Sequence, residues 1–441
     1  MTAIAGMFGS QDKQLVKRMI ASLQHRGKGQ VEYFQDDNIG LAAIGEHAVR
    51  TTGNLCAAID TENRLVHAFQ NLSERDLSIN EFELNGGYAI ALWDGKKMKL
   101  RRDKFGIKPL FYTEIEGMVL FASEIKALLK VGFDRTTNVG AFCQRNILHH
   151  IIGNATSLNE IKQVPPGCSV DIMLTKDNRI PCLRILPDVS RPIPIRINNS
   201  EESEILHLIK TMSNCFTKYA SANRKQALLL SGGLDSSILA AIMAELSDHK
   251  IVTFTFADTD NAEDIHYARV VAENIGTEHH EIILDPTVAP RILPQIVATT
   301  EGMFGGFSFL MFSREIRRLL PECATVLSAE GADELFGGYG YLRDIERHRR
   351  ELLLQTRKLG DCAEAASIME HIRLMFSSGI ETLMQHDLGD QLSNSHMLFA
   401  DHCGMAVGLE ILPPYLYEEV ANLALGLSTH LKVNNGITKY L

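Results

Sequence analysis

The chain has 441 residues, 45% hydrophobic and 22% charged, with a formal net charge of −10. This is globular composition for two or three domains, and the acidic balance argues against a nucleic-acid-binding surface. No apolar run approaches the roughly 18 residues of a membrane span, no signal peptide is readable in Met1–Ser10, and the 8 scattered cysteines lack a C-x-x-C pair and read as reduced thiols of a cytoplasmic protein. In chain order, the first half predicts short strands. "GGYAIALWD" (Gly86–Asp94), "KMKLRRD" (Lys97–Asp103) and "PLFYTEIEGMVLFASE" (Pro109–Glu124) carry β-branched and aromatic runs broken by "DGK" and "EGM" turns, the mark of antiparallel hairpins. A helix is expected from Ser123, capped by that serine and stopped by Gly132. "SVDIMLTKDNRIPCLRIL" predicts another strand–turn–strand. The proline-bearing stretch around 187–202 reads as a linker between an N-terminal domain, 1–186, and a C-terminal domain, 203–441.

The second half changes period. "KQALLL" (Lys225–Leu230), "KIVTFTF" (Lys250–Phe256) and "ATVLSAE" (Ala324–Glu330) predict buried strands. "SSILAAIMAEL" (Ser236–Leu246) and "AEDIHYARVVAENIG" (Ala262–Gly276) predict helices between them. Strands alternating with helices imply a parallel sheet covered on its faces. Further helical segments follow Asp333, and no internal repeat is visible.

Two stretches carry chemistry. In "LLLSGGLDSS" (Leu228–Ser237) a buried strand meets two glycines and a helix start. Free backbone N–H groups at such a turn form an anion site. An unliganded Gly-rich turn would not need Ser231, Ser236 and Ser237 beside Asp235, and the Walker A spacing is absent. "SAEGADELFGGYGYL" (Ser328–Leu342) places Glu330, Asp333 and Glu334 within five residues. Hard carboxylate oxygens suit Mg²⁺, although an acidic helix start can also be a solvated end. Both stretches follow strands, and ligands of open α/β sheets sit at the carboxyl ends of strands.

"SGGLDSS" resembles the PP-loop of the N-type ATP pyrophosphatases. Together with the acidic stretch, and with "RRDKFGIKPLFY", "FASEIKALL", "QVPPG", "GTEHHEI" and "LKVNNGITKYL" in family order, it resembles the asparagine synthetase superfamily, which includes β-lactam synthetases and lasso-peptide cyclases. The resemblance implies a two-domain α/β protein. The first domain would be an antiparallel β sandwich with helices, of the N-terminal-nucleophile type. The second would be a parallel α/β PP-loop domain with a helical C-terminal part. It also implies ATP and Mg²⁺ as cofactors. Ser231, Gly232, Gly233 and Ser236 would hold the pyrophosphate end of ATP, with Asp235 and Asp333 as metal ligands. Leu229, Phe256, Ser328 and Ala329, the last in place of the usual glycine, would line the adenosine pocket. Glu330 would take the proton of the attacking amine and Lys439 would stabilise charge at the reacting phosphate, roles that suit a carboxylate base and a fixed cation.

The N-terminal domain departs from that pattern. Its "MTAIAGMFG" opening has Thr2 where the family carries a cysteine nucleophile. "FQNLSERD" (Phe69–Asp76) replaces the glutamine-binding motif, and the stretch before Leu84 is short. Threonine can act as a nucleophile with an N-terminal amine. A site that loses several positioned groups together rarely keeps its reaction, so a degenerate glutaminase is expected. In "LEILPPYLY" (Leu409–Tyr417), Leu412 stands where asparagine synthetases carry an arginine. With the glycine-rich 305–309 segment it predicts an acyl pocket less polar than aspartate requires. The expected activity is therefore an adenylate-forming amide-bond ligase that joins a small-molecule carboxylate to ammonia or an amine, without glutamine. The alternatives are intramolecular amide formation, a non-catalytic nucleotide-binding relative, and a glutamine-dependent asparagine synthetase using Thr2. No nucleic-acid or membrane partner is expected, and a homodimer is left open.

Overall fold

The computed structural model describes residues 2–441 apart from 11, 28, 38, 46–47, 53–54, 63–83, 175–180, 188–200, 221–226 and 303–304. The "FQNLSERD" segment and most of the expected linker lie outside the described residues. The chain forms two compact units. One comprises Met1–Arg191, Val297–Phe304 and Gly389–Gly408, and the other Pro192–Ile296, Gly305–Leu388 and Leu409–Leu441.

The first unit is built on two six-stranded sheets, all of whose strand pairs are antiparallel. One sheet contains β1 (Ala3–Phe8), β2 (Val31–Asp36), β3 (Ile39–Ile44), β8 (Phe111–Ile115), β9 (Met118–Ala122) and β10 (Ile161–Gln163). The other contains β4 (Val49–Thr52), β5 (Leu55–Thr61), β6 (Tyr88–Trp93), β7 (Lys97–Arg102), β11 (Cys168–Leu174) and β12 (Pro181–Pro187). β1, β3 and β6 are buried along their whole length, because their side chains alternate between two covered faces. Ile4, Phe8 and Leu41 of the first sheet share one core with Ile59, Ile90 and Val170 of the second. That face-to-face packing is a β sandwich. On the outer face of the first sheet, the helix Lys13–Ala21 presents Leu15, Val16, Met19 and Ile20, all buried.

The helix expected from Ser123 is shorter than its pattern. It runs Ile125–Leu128 with Glu124 at its N-cap, then tightens into a 3₁₀ turn, Leu129–Val131. Ser123 does not cap it. Its hydroxyl donates to Asp60 Oδ2 at 2.6 Å and accepts from the Ile4 N–H, so a buried side-chain contact outweighs the local cap.

The second unit carries a five-stranded parallel sheet in the order β15-β14-β13-β16-β17. The strands are β13 (Ala227–Leu229), β14 (Val252–Ala257), β15 (Glu278–Ile283), β16 (Thr325–Leu327) and β17 (Glu410–Leu412). The chain moves outward from β13 to β15, then returns to lay β16 on the other side of β13. The order therefore reverses between β13 and β16, and the crevice at their carboxyl ends is where such sheets bind ligands. Helices Leu234–Leu246 and Glu263–Ile275 cross over between strands, and helices Ile345–Arg357, Ala363–Met375 and Ile380–His386 form the helical part. All eight cysteines are free thiols. No helix among the described residues is long and apolar enough to cross a membrane.

Candidate active site

Two loops meet the reversal point of the parallel sheet, Ser231–Gly233 after β13 and Ser328–Gly331 after β16. In the first, Gly232 has φ +75°, and a Cβ there would lie 2.4 Å from the Ala268 backbone nitrogen. Only glycine satisfies both the left-handed backbone and that close approach. The hydroxyls of Ser231 and Ser236 lie 3.0 Å apart, and Gly233 N–H reaches Ser231 Oγ at 3.3 Å. Ser237 Oγ donates to the Gly233 carbonyl at 2.7 Å. The loop is thereby tied to the start of the helix Leu234–Leu246, whose first N–H groups have no intrahelical acceptor and favour an anion.

Asp235 opens that helix, and its backbone carbonyl accepts a hydrogen bond from Tyr415 Oη at 2.9 Å. Its carboxylate meets Lys439 Nζ, which also lies 2.6 Å from Asp333 Oδ1. Burial, reinforced by the Asp333 charge, pushes the Asp235 carboxyl above its ordinary range despite the lysine. Burial alone would lower Lys439, but the two carboxylates hold it above its ordinary value. Lys439 adopts φ +51°, strained backbone of the kind that clusters at functional sites. Two carboxylates, from the first turns of two helices, thus converge on one ammonium. The oxygen-only donor set fits Mg²⁺.

Gly338 makes this convergence sterically feasible. A Cβ there would sit 1.8 Å from Asp333 Oδ1 and 2.1 Å from Lys439 Cε. No local pattern in "FGGYG" marks Gly338 out from Gly337, so sequence reasoning did not single it out.

Of the three acidic residues after β16, only Asp333 reaches Lys439. Glu334 is buried and accepts the Tyr339 hydroxyl at 2.6 Å, and burial next to that carboxylate pushes the Tyr339 phenol upward. Glu330 is half-buried, and its N–H reaches Ser328 Oγ at 3.3 Å. Leu229 ends β13, Phe256 lies near the end of β14, and Ser328 and Ala329 follow β16. The Phe256 ring stacks on Phe312 at 4.5 Å, and Phe312 leans on Phe309 at 5.2 Å. The apolar segment around 305–309 therefore connects with the strand ends. Leu412 is buried within β17.

Thr2 lies in the first unit and is 2% exposed. Its hydroxyl accepts from the Thr61 N–H at 2.7 Å and donates to the Thr61 carbonyl at 2.8 Å, with Asp60 Oδ1 3.1 Å away. Close by is a buried ion network that no local pattern announced. Arg26 is fully buried and donates to Asp60 (3.1 Å), Glu124 (2.9 Å) and Asp401 (2.6 Å). Lys108 reaches Asp401 at 3.3 Å, and Lys126 reaches Glu124 at 2.6 Å.

The family model described as asparagine synthase matches residues 208–441, and the one described as a glutamine amidotransferase domain matches residues 49–180. A putative glutamine-hydrolyzing asparagine synthetase of Methanocaldococcus jannaschii is 26% identical over 382 residues, covering 83% of this chain and 62% of the relative. Glutamine-hydrolyzing asparagine synthetase 1 of Bacillus subtilis is 22% identical over 518 residues, covering 98% of this chain and 81% of the relative. A solved NH3-dependent NAD synthetase from Campylobacter jejuni overlaps 43% of this chain and 86% of its own at 15% identity. Its TM-score of 0.24 carries no structural argument.

Proposed function

This chain belongs to the asparagine synthase family, and from that premise we propose that it is an ATP-dependent amide-bond synthetase that works without hydrolysing glutamine. One observation carries the reading: Asp235, Asp333 and Lys439 converge beside the Ser231–Gly233 loop, at the reversal point of the parallel sheet.

The chemistry follows from those groups. The loop N–H groups and the serine hydroxyls receive the β- and γ-phosphates. A substrate carboxylate oxygen bonds to the α-phosphorus as the α–β anhydride bond breaks, and pyrophosphate leaves with that electron pair. Asp235 and Asp333 would hold Mg²⁺, which would supply charge neutralisation for the departing pyrophosphate. Lys439, placed between the same carboxylates, supplies a fixed positive charge to the anionic transition state. An amine then attacks the acyl carbon and AMP leaves. The amine must lose a proton in that step, and Glu330 is the carboxylate assigned to accept it.

The absence of glutamine hydrolysis is supported by Thr2. Its hydroxyl is buried and committed to Thr61 on both its donor and acceptor sides, an arrangement of a structural group and not of a free nucleophile. The amine donor is then ammonia or a substrate amine.

The test is pyrophosphate release dependent on both a carboxylate and an amine, with product read by mass and Asp235→Ala as control. Release in the wild type and its loss in the variant are expected. The reading fails if no carboxylate–amine pair, high ammonia included, drives release. Free glutamate formed from glutamine would overturn its glutamine-independent part.

A further inference from the structure

Asp235 and Asp333 sit on different elements, the helix Leu234–Leu246 after β13 and the helix Ala332–Phe336 after β16. Among the described residues, β13 and β16 share one register pair, Leu228 with Leu327. The spacing of the two carboxylates therefore depends on what packs between the two helices. Lys439 spans the carboxylates, but its flexible four-carbon stem can follow them wherever they stand. Tyr415 spans the helices themselves. Its hydroxyl donates to the Asp235 backbone carbonyl at 2.9 Å, and its ring meets the Phe336 ring edge-on, with centroids 6.3 Å apart at 79°.

We propose that Tyr415 is a positioning residue. By bridging these two helices it sets the separation of Asp235 and Asp333, and with it the fit that the pair offers Mg²⁺. The inference rests on the amide-synthetase reading and adds the residue that aligns its metal ligands.

Three observations carry it. First, the bridge is anchored at its base. β17 lies parallel to β16 with Leu412 opposite Leu327, and the Ser328 N–H donates to the Leu412 carbonyl at 2.8 Å. Pro414, whose ring locks φ, then opens the 3₁₀ turn Pro414–Leu416, all three residues buried. The Tyr415 ring also meets Phe216 edge-on at 5.7 Å and is 2% exposed. A ring packed this closely holds one orientation.

Second, the same turn reaches the segment that leads to Asp333. Leu416 lies against Gly331, where a Cβ would sit 2.2 Å from Leu416 Cδ2. Gly331 is the N-cap of the helix that bears Asp333. Two adjacent residues of one turn thus contact both carboxylate-bearing elements.

Third, the hydrogen bond is made to Asp235 itself, so a shift of the phenol passes directly to the residue whose carboxylate matters. Burial, reinforced by the Asp235 charge, pushes the Tyr415 phenol well above its ordinary range, which keeps its proton available to donate.

A buried tyrosine ordinarily finds a partner for its hydroxyl, so this bond alone would also suit a core residue. Ion selectivity separates the two roles. Mg²⁺ demands near-octahedral geometry with short bonds, whereas Ca²⁺ accepts flexible geometry. Loosening the spacing of two carboxylates penalises Mg²⁺ more than Ca²⁺. Loss of a packing contact in the core favours neither ion.

The test uses Tyr415→Phe, which keeps the ring and removes the hydroxyl, and Phe336→Leu, which removes the opposing ring. Affinities of the full chain for Mg²⁺ and Ca²⁺ are measured by displacement of Mn²⁺, followed by electron paramagnetic resonance. Pyrophosphate release is measured alongside, and the unfolding midpoint reports that each variant is folded. In Tyr415→Phe the Mg²⁺ affinity should fall by about two- to tenfold, the range that one hydrogen bond spans, and the Ca²⁺ affinity should change by less. Phe336→Leu should act in the same direction. The double variant should lose less than the product of the single losses, because both act through one bridge. Equal changes for Mg²⁺ and Ca²⁺ in Tyr415→Phe, or none, would overturn the inference and leave the synthetase reading standing. Fully multiplicative losses in the double variant would overturn it too, as would a wild type that holds no Mn²⁺. Mg²⁺ selectivity that drops in Tyr415→Phe, in a protein whose wild type releases no pyrophosphate from any carboxylate–amine pair, would uphold the spacing role and overturn the reading beneath it.

Discussion

Lys439 Nζ lies 2.6 Å from Asp333 Oδ1 and at the same time holds the carboxylate of Asp235, so one lysine is shared by both proposed metal ligands. A divalent cation must displace that ammonium before it can use the pair. The lysine is then freed to face the phosphates. Lys439→Met should consequently separate two readouts. Pyrophosphate release should fall by about 10²–10³-fold, the usual cost of removing one fixed transition-state charge. Affinity for Mn²⁺ alone, followed by electron paramagnetic resonance, should rise, because the competing cation is gone. Weaker Mn²⁺ binding in Lys439→Met would contradict the shared position.

Gly338 gives the same arrangement a second test. Its missing Cβ leaves room for Asp333 Oδ1 and Lys439 Cε. Gly338→Ala should therefore push both side chains out of register. Product formation should drop by at least tenfold while the unfolding midpoint shifts by less than it does for Gly232→Ala. In the latter, the added methyl meets backbone at a left-handed residue and strain of about 1–3 kcal/mol is expected. Equal midpoint shifts and full activity in Gly338→Ala would contradict the assignment.

How much of this was legible depended on how local each signal is. β13 and β14 carry continuous apolar or β-branched runs, because a parallel strand is buried on both faces, and those runs stand out in a single sequence. β15 was missed because "EHHEII" sits at the sheet edge with only Ile282 buried, which leaves no apolar pattern. β17 was missed because three residues, Glu410–Leu412, are too few to show a period. The phosphate loop was legible because its glycines and serines are consecutive. Lys439 was assigned only through family resemblance, since nothing near it in the chain points to Asp235. Gly338 and Arg26 act through contacts that exist only after folding.

Arg26 and Thr2 test the N-terminal unit. Arg26 and Asp401 are 375 residues apart in sequence yet meet at 2.6 Å. Removing the guanidinium strands Asp60, Glu124 and Asp401 in the interior without their shared partner. Arg26→Met should destabilise the unit by about 3–5 kcal/mol, the cost of breaking a buried pair from one side, measured by urea unfolding. Thr2→Ala should cost only about 1–3 kcal/mol, for the buried Thr61 N–H left without its acceptor. Amine-dependent pyrophosphate release should be unchanged in Thr2→Ala. A selective loss of glutamine-dependent turnover in that variant would restore Thr2 as a nucleophile.

The pH dependence of stability should be governed in part by Glu301 and His402, whose Oε2 and Nε2 atoms lie 3.7 Å apart. Glu301 is 9% exposed and accepts the backbone N–H groups of Ile125 and Lys126, each at 2.7 Å. Burial, with the charge of Glu124, pushes its carboxyl from 4.5 up to about 8. Burial also pushes the His402 imidazole from 6.5 down to about 4. The signs are opposite. Between 4.5 and 8 the folded state binds the Glu301 proton more tightly than the unfolded chain does, so this group's contribution falls as pH rises. Between 4 and 6.5 the unfolded chain binds the His402 proton more tightly, so that contribution rises with pH. The two slopes oppose each other from 4.5 to 6.5, and only the Glu301 slope remains from 6.5 to 8. Over those 1.5 pH units it amounts to about 2 kcal/mol at most. Urea unfolding at pH 6.5 and 8 should show that decline in the wild type. Glu301→Gln, which cannot ionise, should lose less stability across the same interval. An identical decline in the variant would place the titrating group elsewhere.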